Sequence, residues 1–216
     1  MKINISNQLK IKNFVNFVKS KLSEKDGKLI LRNKIANGGT QDGEFCEKTN
    51  TIRCKKNNNS YYWLGVLAHE YSHFIQSSNK TKFWTNFQKN INKLKNVDVI
   101  LTAKDSARKE SFNKKDREKI VSSIIDMELE CEKMALEFVK NFDLPINKEE
   151  YIILSNVIFY KYLYWAEYQI WPSFKTSSIK KWDEELIKKM KTFGNRRSYK
   201  NFSEIPLSVL VCFENT

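Results

Sequence analysis

The chain has only two histidines, His69 and His73, which lie four residues apart with a glutamate, Glu70, directly after the first. On an α-helix, residues four apart lie nearly above one another, so both imidazoles face one side at a separation that a single zinc ion can bridge. Glu70 is rotated away from that line, close to the metal but not bound to it. In this HExxH pattern a carboxylate takes a proton from water as the water attacks a carbonyl group. The pattern predicts zinc bound by His69 and His73, with Glu70 as the general base.

The residues around this motif predict the helix that would position it. No proline interrupts residues 60–78. At about 100° per residue, the side chains separate onto two helix faces. The face with the histidines also carries Tyr62, Val66 and Gln76. The opposite face carries Leu64, Leu67, Tyr71, Phe74 and Ile75. We therefore expect a helix that is buried on its apolar side and carries its histidines beneath a cleft.

A zinc ion used for hydrolysis normally has three protein ligands and one open position. Because no histidine remains, the third ligand must be a carboxylate or a cysteine. The acidic candidates are concentrated in one downstream segment, at Asp126, Glu128, Glu130 and Glu132. Periodicity alone does not choose among the three glutamates, although Glu128 lies nearest the centre of the apolar stripe of that segment.

Periodicity predicts a mostly helical α+β fold, with a small sheet or hairpin before the histidine helix and a glutamate-donating helix after it. Apolar spacing predicts helices over residues 7–26, 60–78, 83–94, 120–142, 149–171 and 179–190. Strands are predicted at 28–32, 43–46 and 51–54, the last two as a hairpin, with an edge strand within 205–213. A turn is expected around 37–39 and a helix N-cap within 57–60. The polar, basic segment 77–119 is predicted to be an insertion or flap.

Length and composition indicate one domain spanning residues 1–216. The hydrophobic fraction of 41% is typical of a globular protein, and no linker-like segment divides the chain. The N-terminus is polar and charged, and no stretch is apolar enough to cross a bilayer, so we expect a cytoplasmic protein without a membrane partner. The four cysteines are too few and too scattered for a disulfide framework, which predicts reduced thiols.

The positive net charge of the chain allows a second interpretation of its function. Lysine and arginine number 38 against 25 acidic residues, for a formal net charge of +13, so non-specific contact with nucleic acid is expected. There is no zinc-finger spacing, glycine-rich phosphate loop or RNA-binding aromatic signature. The alternative to an enzyme is a basic nucleic-acid-associated or protein-binding module that keeps a structural zinc site without turnover.

The downstream segment resembles a known family. The run Glu130-Cys131-Glu132-Lys133-Met134-Ala135, followed by Asp143-Leu144-Pro145, resembles the glutamate helix of the ImmA/IrrE family of intracellular zinc peptidases. In that family a Glu-Ala-Asn-x-Phe-Ala run supplies the third ligand, and matching by position implies Glu130. Cys131 and Glu132 stand where the family has a small residue and an asparagine, so Glu128 remains a rival.

The resemblance extends upstream through the motif. Gly43-Glu44-Phe45, Thr51-Ile52-Arg53 and then Leu67-Ala68-His69-Glu70-Tyr71-Ser72-His73 resemble the strand, turn, strand and active-site helix of the family, in the same order. The resemblance covers about residues 29–145. It implies a zincin-like fold and a gluzincin-type zinc site of His69, His73 and Glu130. It also implies a protein or peptide substrate, such as a regulatory protein.

The oxyanion formed during peptide hydrolysis needs a donor that is not histidine. The aromatic segment offers Tyr160 or Tyr164, and the basic C-terminal region offers Arg196 or Arg197. Sequence alone does not choose among them, and the two tyrosines could equally pack in the core.

Overall fold

The computed structural model describes residues 5–33, 42–56, 60–92 and 113–214. The chain forms two compact units, one of Met1–Thr81 with Glu130–Lys148 and the other of Lys82–Leu129 with Glu149–Thr216. The predicted organisation as one domain over residues 1–216 stays a prediction. Two predicted features lie outside the described residues, the turn at 37–39 and most of the N-cap at 57–60. The same holds for residues 93–112 of the predicted insertion.

The first unit is built from two helices, a small sheet and the C-terminal part of a third helix. Helix α1 spans Ile5–Ser23, strands β1, β2 and β3 span Lys28–Arg32, Gly43–Cys46 and Thr51–Lys55, and helix α2 spans Tyr62–Asn79. The sheet order is β1-β3-β2, with β1 parallel to β3 and β2 antiparallel to β3. The predicted strands, the hairpin and the mostly helical α+β class are therefore confirmed.

The turn between α1 and β1 requires a glycine. A Cβ atom on Gly27 would lie 2.4 Å from the backbone oxygen of Asn50, which is closer than packed atoms approach. Asp26 before it has φ 55° and Asn50 has φ 48°, both in the left-handed region. Asn50 also donates a side-chain hydrogen bond to the Lys25 carbonyl at 2.9 Å. This turn fixes the start of the sheet against the end of α1.

The core of the first unit is aromatic. Helix α4, Lys114–Asn141, contributes Phe138 from its C-terminal half. The ring of Phe138 lies 6.4 Å from Phe14, 6.1 Å from Phe17 and 5.1 Å from Tyr71, measured between centroids. These rings come from α4, α1 and α2, so one cluster fixes how the three helices of this unit pack.

Helix α2 also packs against the sheet. Strand β2 lies so close that a Cβ on Gly43 would come within 2.4 Å of Val66 Cγ1. The Cys54 thiol of β3 donates to the Trp63 carbonyl at 3.4 Å. Ser60, from the predicted cap, accepts the Tyr62 N–H at 3.1 Å. The helix ends at Asn79. Lys80 follows with φ 48° and turns the chain, so that the Thr81 N–H bonds the Gln76 carbonyl at 3.0 Å.

The second unit contains helix α3, Lys82–Asn92, the N-terminal part of α4 and most of helix α5, Lys148–Tyr168. Helices α6 and α7 follow at Glu184–Met190 and Leu207–Leu210, and β4, Ser173–Phe174, pairs antiparallel with β5, Phe213–Glu214. Its core includes the ring of Tyr199 against those of Phe159 and Tyr160, at 5.0 and 5.5 Å.

Two predicted elements near the C-terminus differ in the structure. The helix expected over 179–190 is split, because Asp183 caps a new helix by accepting the Leu186 N–H at 2.7 Å. The edge strand expected within 205–213 is wrong for most of its length. Pro206 has φ −58° and begins a helical turn at Leu207–Leu210, since proline suits the start of a helix and cannot donate to a sheet. Only its last residue, Phe213, lies in a strand.

Among the described residues, no helix has both the length and the apolar character needed to cross a membrane.

Phe14 should carry much of the stability of the first unit. Its side chain is fully buried against the rings of Phe138 and Phe142. Replacing it by alanine leaves a cavity, so Phe14→Ala is expected to lower the free energy of unfolding by about 3–5 kcal/mol. Leu9→Ala on the same helix is the matched control, since Leu9 is 59% exposed and its loss should cost under about 0.5 kcal/mol. Urea denaturation measures both, and equal losses would contradict the packing described.

Candidate metal centre

Two helices bring four potential metal ligands together. Helix α2 supplies His69 and His73, and helix α4 supplies Glu128 and Cys131. One nitrogen, oxygen or sulfur atom from each of these residues lies within 4.8 Å of the others. His73, Glu128 and Cys131 are buried and His69 is half-buried. Imidazole, carboxylate and thiolate are the ligands that zinc takes in proteins, so this group could hold a metal ion.

The two imidazoles face each other through the same ring atom. His69 Nε2 lies 3.1 Å from His73 Nε2. The other nitrogen of each ring is held by an oxygen. His69 Nδ1 lies 3.1 Å from Glu132 Oε1, and His73 Nδ1 lies 2.9 Å from Gln76 Oε1. These contacts orient both Nε2 atoms toward one point.

The hydrogen bonds assign the proton on His73. The Glu130 carboxylate accepts from Gln76 Nε2 at 2.7 Å, so the amide nitrogen of Gln76 faces Glu130. The amide oxygen of Gln76 then faces His73 and can only accept. His73 Nδ1 must therefore be the donor, and in the neutral ring its Nε2 carries the lone pair.

This arrangement suits a cation between the two Nε2 atoms, either a metal ion or a proton. Glu132 holds the Nδ1 proton of His69 as Gln76 holds that of His73, so two lone pairs would otherwise face each other at 3.1 Å. Two nitrogens bound to one tetrahedral zinc lie about 3.3 Å apart, given zinc–nitrogen distances of about 2.0–2.1 Å. Metal-binding histidines usually donate their other N–H to a carboxylate or carbonyl oxygen. The residues present therefore fit a bound metal ion.

The electrostatics of His69 favour positive charge at the same point. Burial alone would lower the pKa of His69, but the adjacent Cys131 sulfur and Glu132 carboxylate outweigh burial and hold the pKa well above its ordinary value. In the protein without metal, a proton on His69 can occupy the position between the two Nε2 atoms.

Cys131 contacts His69 through its sulfur. Its sulfur lies 3.5 Å from His69 Nδ1 and donates to the His69 carbonyl at 3.2 Å. The nitrogen near Cys131 is thus not the Nε2 that faces His73. The sulfur also lies within 4.8 Å of ligand atoms of His73 and Glu128, so Cys131 belongs to the same group of possible ligands.

Glu70 is on α2, directly after the first histidine, and is 8% exposed. Its carboxylate packs against the start of β2, since a Cβ on Gly43 would lie 2.8 Å from Glu70 Oε1. Strand β2 therefore limits how far the Glu70 side chain can swing away.

The structure groups Glu128 with the histidines and gives Glu130 different contacts. Both hydrogen bonds to Glu130 go to Oε2, from Gln76 Nε2 and Thr81 Oγ1, each at 2.7 Å. Glu128, the rival that sequence reasoning left open, is in the metal-binding group. Glu132, one helical turn after Glu128, contacts His69 Nδ1.

Sequence reasoning missed the roles of Gln76, Thr81 and Glu132. Two signals were available. Gln76 follows His73 by three residues on the same helix face, and Glu128 and Glu132 are four apart, which places them on one face of α4. Thr81 gave no signal, because it follows the end of α2 and meets Glu130 only through the turn at Lys80.

The predicted oxyanion donors all lie in the second unit. Tyr160 is 2% exposed against Tyr199, and burial raises its pKa. Tyr164 packs against the Phe213 ring at 5.5 Å. Arg196 pairs with Asp126 at 2.7 Å, and Arg197 donates its backbone N–H to Asn195. None of these residues belongs to the metal-binding group, and their roles stay predictions.

The four cysteines are free thiols, as the sequence predicted.

Comparisons with protein-family models, curated proteins and solved structures give no match to this chain. The resemblance to the ImmA/IrrE family therefore rests on the motifs alone.

Metal affinity should depend on pH in a direction set by His69. Its raised pKa keeps the imidazolium populated to higher pH, and a metal must displace that proton from the ring. Zinc affinity is therefore expected to rise with pH until the pH exceeds the pKa of His69, and to fall as pH falls through that value. Competition with a coloured chelator over a pH series measures this. An affinity that does not change across the series would contradict the assignment.

Proposed function

We propose that this chain is a zinc-dependent peptidase that hydrolyses peptide bonds in a protein or peptide substrate. His69, His73 and Glu128 would hold the zinc, and Glu70 would be the general base. The observation that carries the proposal is the pair of Nε2 atoms at 3.1 Å, each on a ring whose other nitrogen is held by an oxygen. That arrangement prepares both lone pairs for one metal ion.

Zinc suits this donor set better than the other common divalent cations. Magnesium and calcium prefer oxygen ligands, whereas two imidazoles and a carboxylate are a known ligand set of hydrolytic zinc. With Cys131 on the Nδ1 side of His69, three protein ligands leave one position open, which distinguishes a hydrolytic site from a closed structural one. A bound zinc ion would acidify water and polarise the carbonyl group under attack.

Glu70 would transfer the proton. It follows His69 directly, so its side chain lies beside the line of the two imidazoles. Strand β2 confines it, because Val66 and Glu70 both lie against Gly43. As a carboxylate it accepts the proton of the attacking water and passes it to the departing amine.

We propose a tyrosine of the first unit as the donor for the developing oxyanion. Tyr62 lies at the start of α2, on the face that carries the histidines. Its pKa is raised by partial burial and by the carboxylates of Asp42 and Glu132, so its hydroxyl keeps its proton at neutral pH. We propose Tyr62 for the role that sequence reasoning gave to Tyr160 or Tyr164.

The sheet offers a reason to expect a peptide as substrate. Strand β2 is at the edge of the three-stranded sheet and, among the described strands, pairs only with β3. Proteins commonly bind an extended peptide by adding it as a strand beside an edge strand of this kind. Because β2 begins beside Glu70, a peptide aligned with it would pass close to the general base.

Glu70→Gln should separate metal binding from catalysis. The substitution keeps the size of the side chain but removes the base, so zinc should still bind one to one while cleavage falls by about 100-fold or more. Zinc content is measured by elemental analysis, and cleavage by mass spectrometry of a random peptide mixture. Glu24→Gln on the surface is the control and should retain both. Full cleavage by Glu70→Gln, or no cleavage by the zinc-loaded wild type, would refute the proposal.

A further inference from the structure

We infer that Gln76 and Glu130 are positioning residues that fix the tautomer of His73 and so present its Nε2 lone pair to the metal. The inference rests on the metal-binding role proposed for His73. It assigns Glu130 a role as an acceptor behind the site, in place of the ligand role that the family resemblance implies.

Gln76 connects His73 to Glu130 through both ends of one amide. Its side chain is fully buried. Its Oε1 lies 2.9 Å from His73 Nδ1, and its Nε2 donates to Glu130 at 2.7 Å. A rotation of the amide by 180° would direct its oxygen at the carboxylate and its NH2 at the ring. Two acceptors would then face each other without a proton between them, so the carboxylate fixes the orientation of the amide.

Thr81 completes the arrangement from the end of α2. Its hydroxyl donates to the same Glu130 oxygen that Gln76 reaches, at 2.7 Å, and its backbone N–H bonds the Gln76 carbonyl at 3.0 Å. Residues 76, 81 and 130 are therefore joined by three hydrogen bonds. This ring ties Glu130 to α2 at a point one turn beyond His73.

The consequence for His73 is a single proton position. A neutral imidazole in water exchanges its proton between Nδ1 and Nε2, and the ring with its proton on Nε2 cannot bind a metal through that atom. Holding the proton on Nδ1 removes that competing state. Partners of this kind usually contribute about 10–100-fold to metal affinity.

The chemistry of residue 130 distinguishes a positioning role from a ligand role. In Glu130→Gln, the amide oxygen can occupy the place of Oε2 and accept from both Gln76 and Thr81. The tautomer and zinc affinity should then stay within a few-fold of wild type. In Glu130→Leu no acceptor remains, and zinc affinity should fall about 10–100-fold. Glu128→Gln should lose far more, because it removes a ligand.

The tautomer can be observed directly, without metal or substrate. The chain has only two histidines, so long-range 1H–15N NMR of the metal-free protein resolves both rings, and His69→Ala assigns them. Under mildly alkaline conditions we expect His73 to carry its proton on Nδ1 in wild type and Glu130→Gln. In Glu130→Leu and Gln76→Leu, each combined with His69→Ala so that a proton on His69 cannot hold His73 Nε2 as an acceptor, we expect a mixture of tautomers, whereas His69→Ala alone should keep the His73 proton on Nδ1. Glu137→Gln, an exposed site on α4, is the control and should match wild type.

Three results would overturn the inference. These are a wild-type His73 with its proton on Nε2, a tautomer that Glu130→Leu leaves unchanged when combined with His69→Ala, or a zinc affinity lost equally in Glu130→Gln and Glu128→Gln. Circular dichroism checks folding. If Gln76→Leu does not fold, the tautomer of His73 is tested with Thr81→Val and the two Glu130 variants instead. If the wild type shows the expected tautomer but binds no zinc, the proposed function is refuted. The hydrogen bonds among Gln76, Thr81 and Glu130 would still hold His73 as inferred.

Discussion

The Nε2 lone pairs of His69 and His73 face each other because the Nδ1 atom of each ring is held by an oxygen of a neighbouring side chain. A helix with histidines four residues apart places two rings on one face, but it leaves each ring free to rotate and to exchange its proton. Glu132 and Gln76 remove that freedom through contacts of 3.1 and 2.9 Å to the two Nδ1 atoms. The site therefore depends on the register between α2 and the second half of α4, which carries Glu128, Cys131 and Glu132.

That register is set by packing at some distance along the helices. Phe138 lies two turns after Cys131 on α4, and its ring contacts Phe14 and Phe17 of α1 and Tyr71 of α2. Tyr71 itself directly follows Glu70. A rotation of α4 that displaced Glu128 from the histidines would also displace Phe138 from three aromatic partners. Apolar burial in the core therefore holds the polar groups of the site in place.

The elements around the site were predictable, and its acidic members were not. The strands at Lys28–Arg32 and Gly43–Cys46 and the histidine helix follow from alternation, turn residues and helical spacing. Glu128, Glu130 and Glu132 lie two residues apart, so about 200° of rotation separates each from the next. All three are at least partly buried, and each contacts something different. The face of α4 that meets α2 is decided by long-range ring contacts, which no local pattern records.

The residue at which α2 ends determines whether Thr81 can reach Gln76 and Glu130, and so affects which nitrogen of His73 carries the proton. The chain leaves the helix through Lys80, a non-glycine residue with φ 48°, and so returns Thr81 to the Gln76 carbonyl and the Glu130 carboxylate. One additional residue before Lys80 would carry the threonine about 100° around the helix axis and 1.5 Å along it, out of reach of both. Insertions and deletions between His73 and Thr81 should thus be tolerated far less well than substitutions at the exposed positions of the same segment.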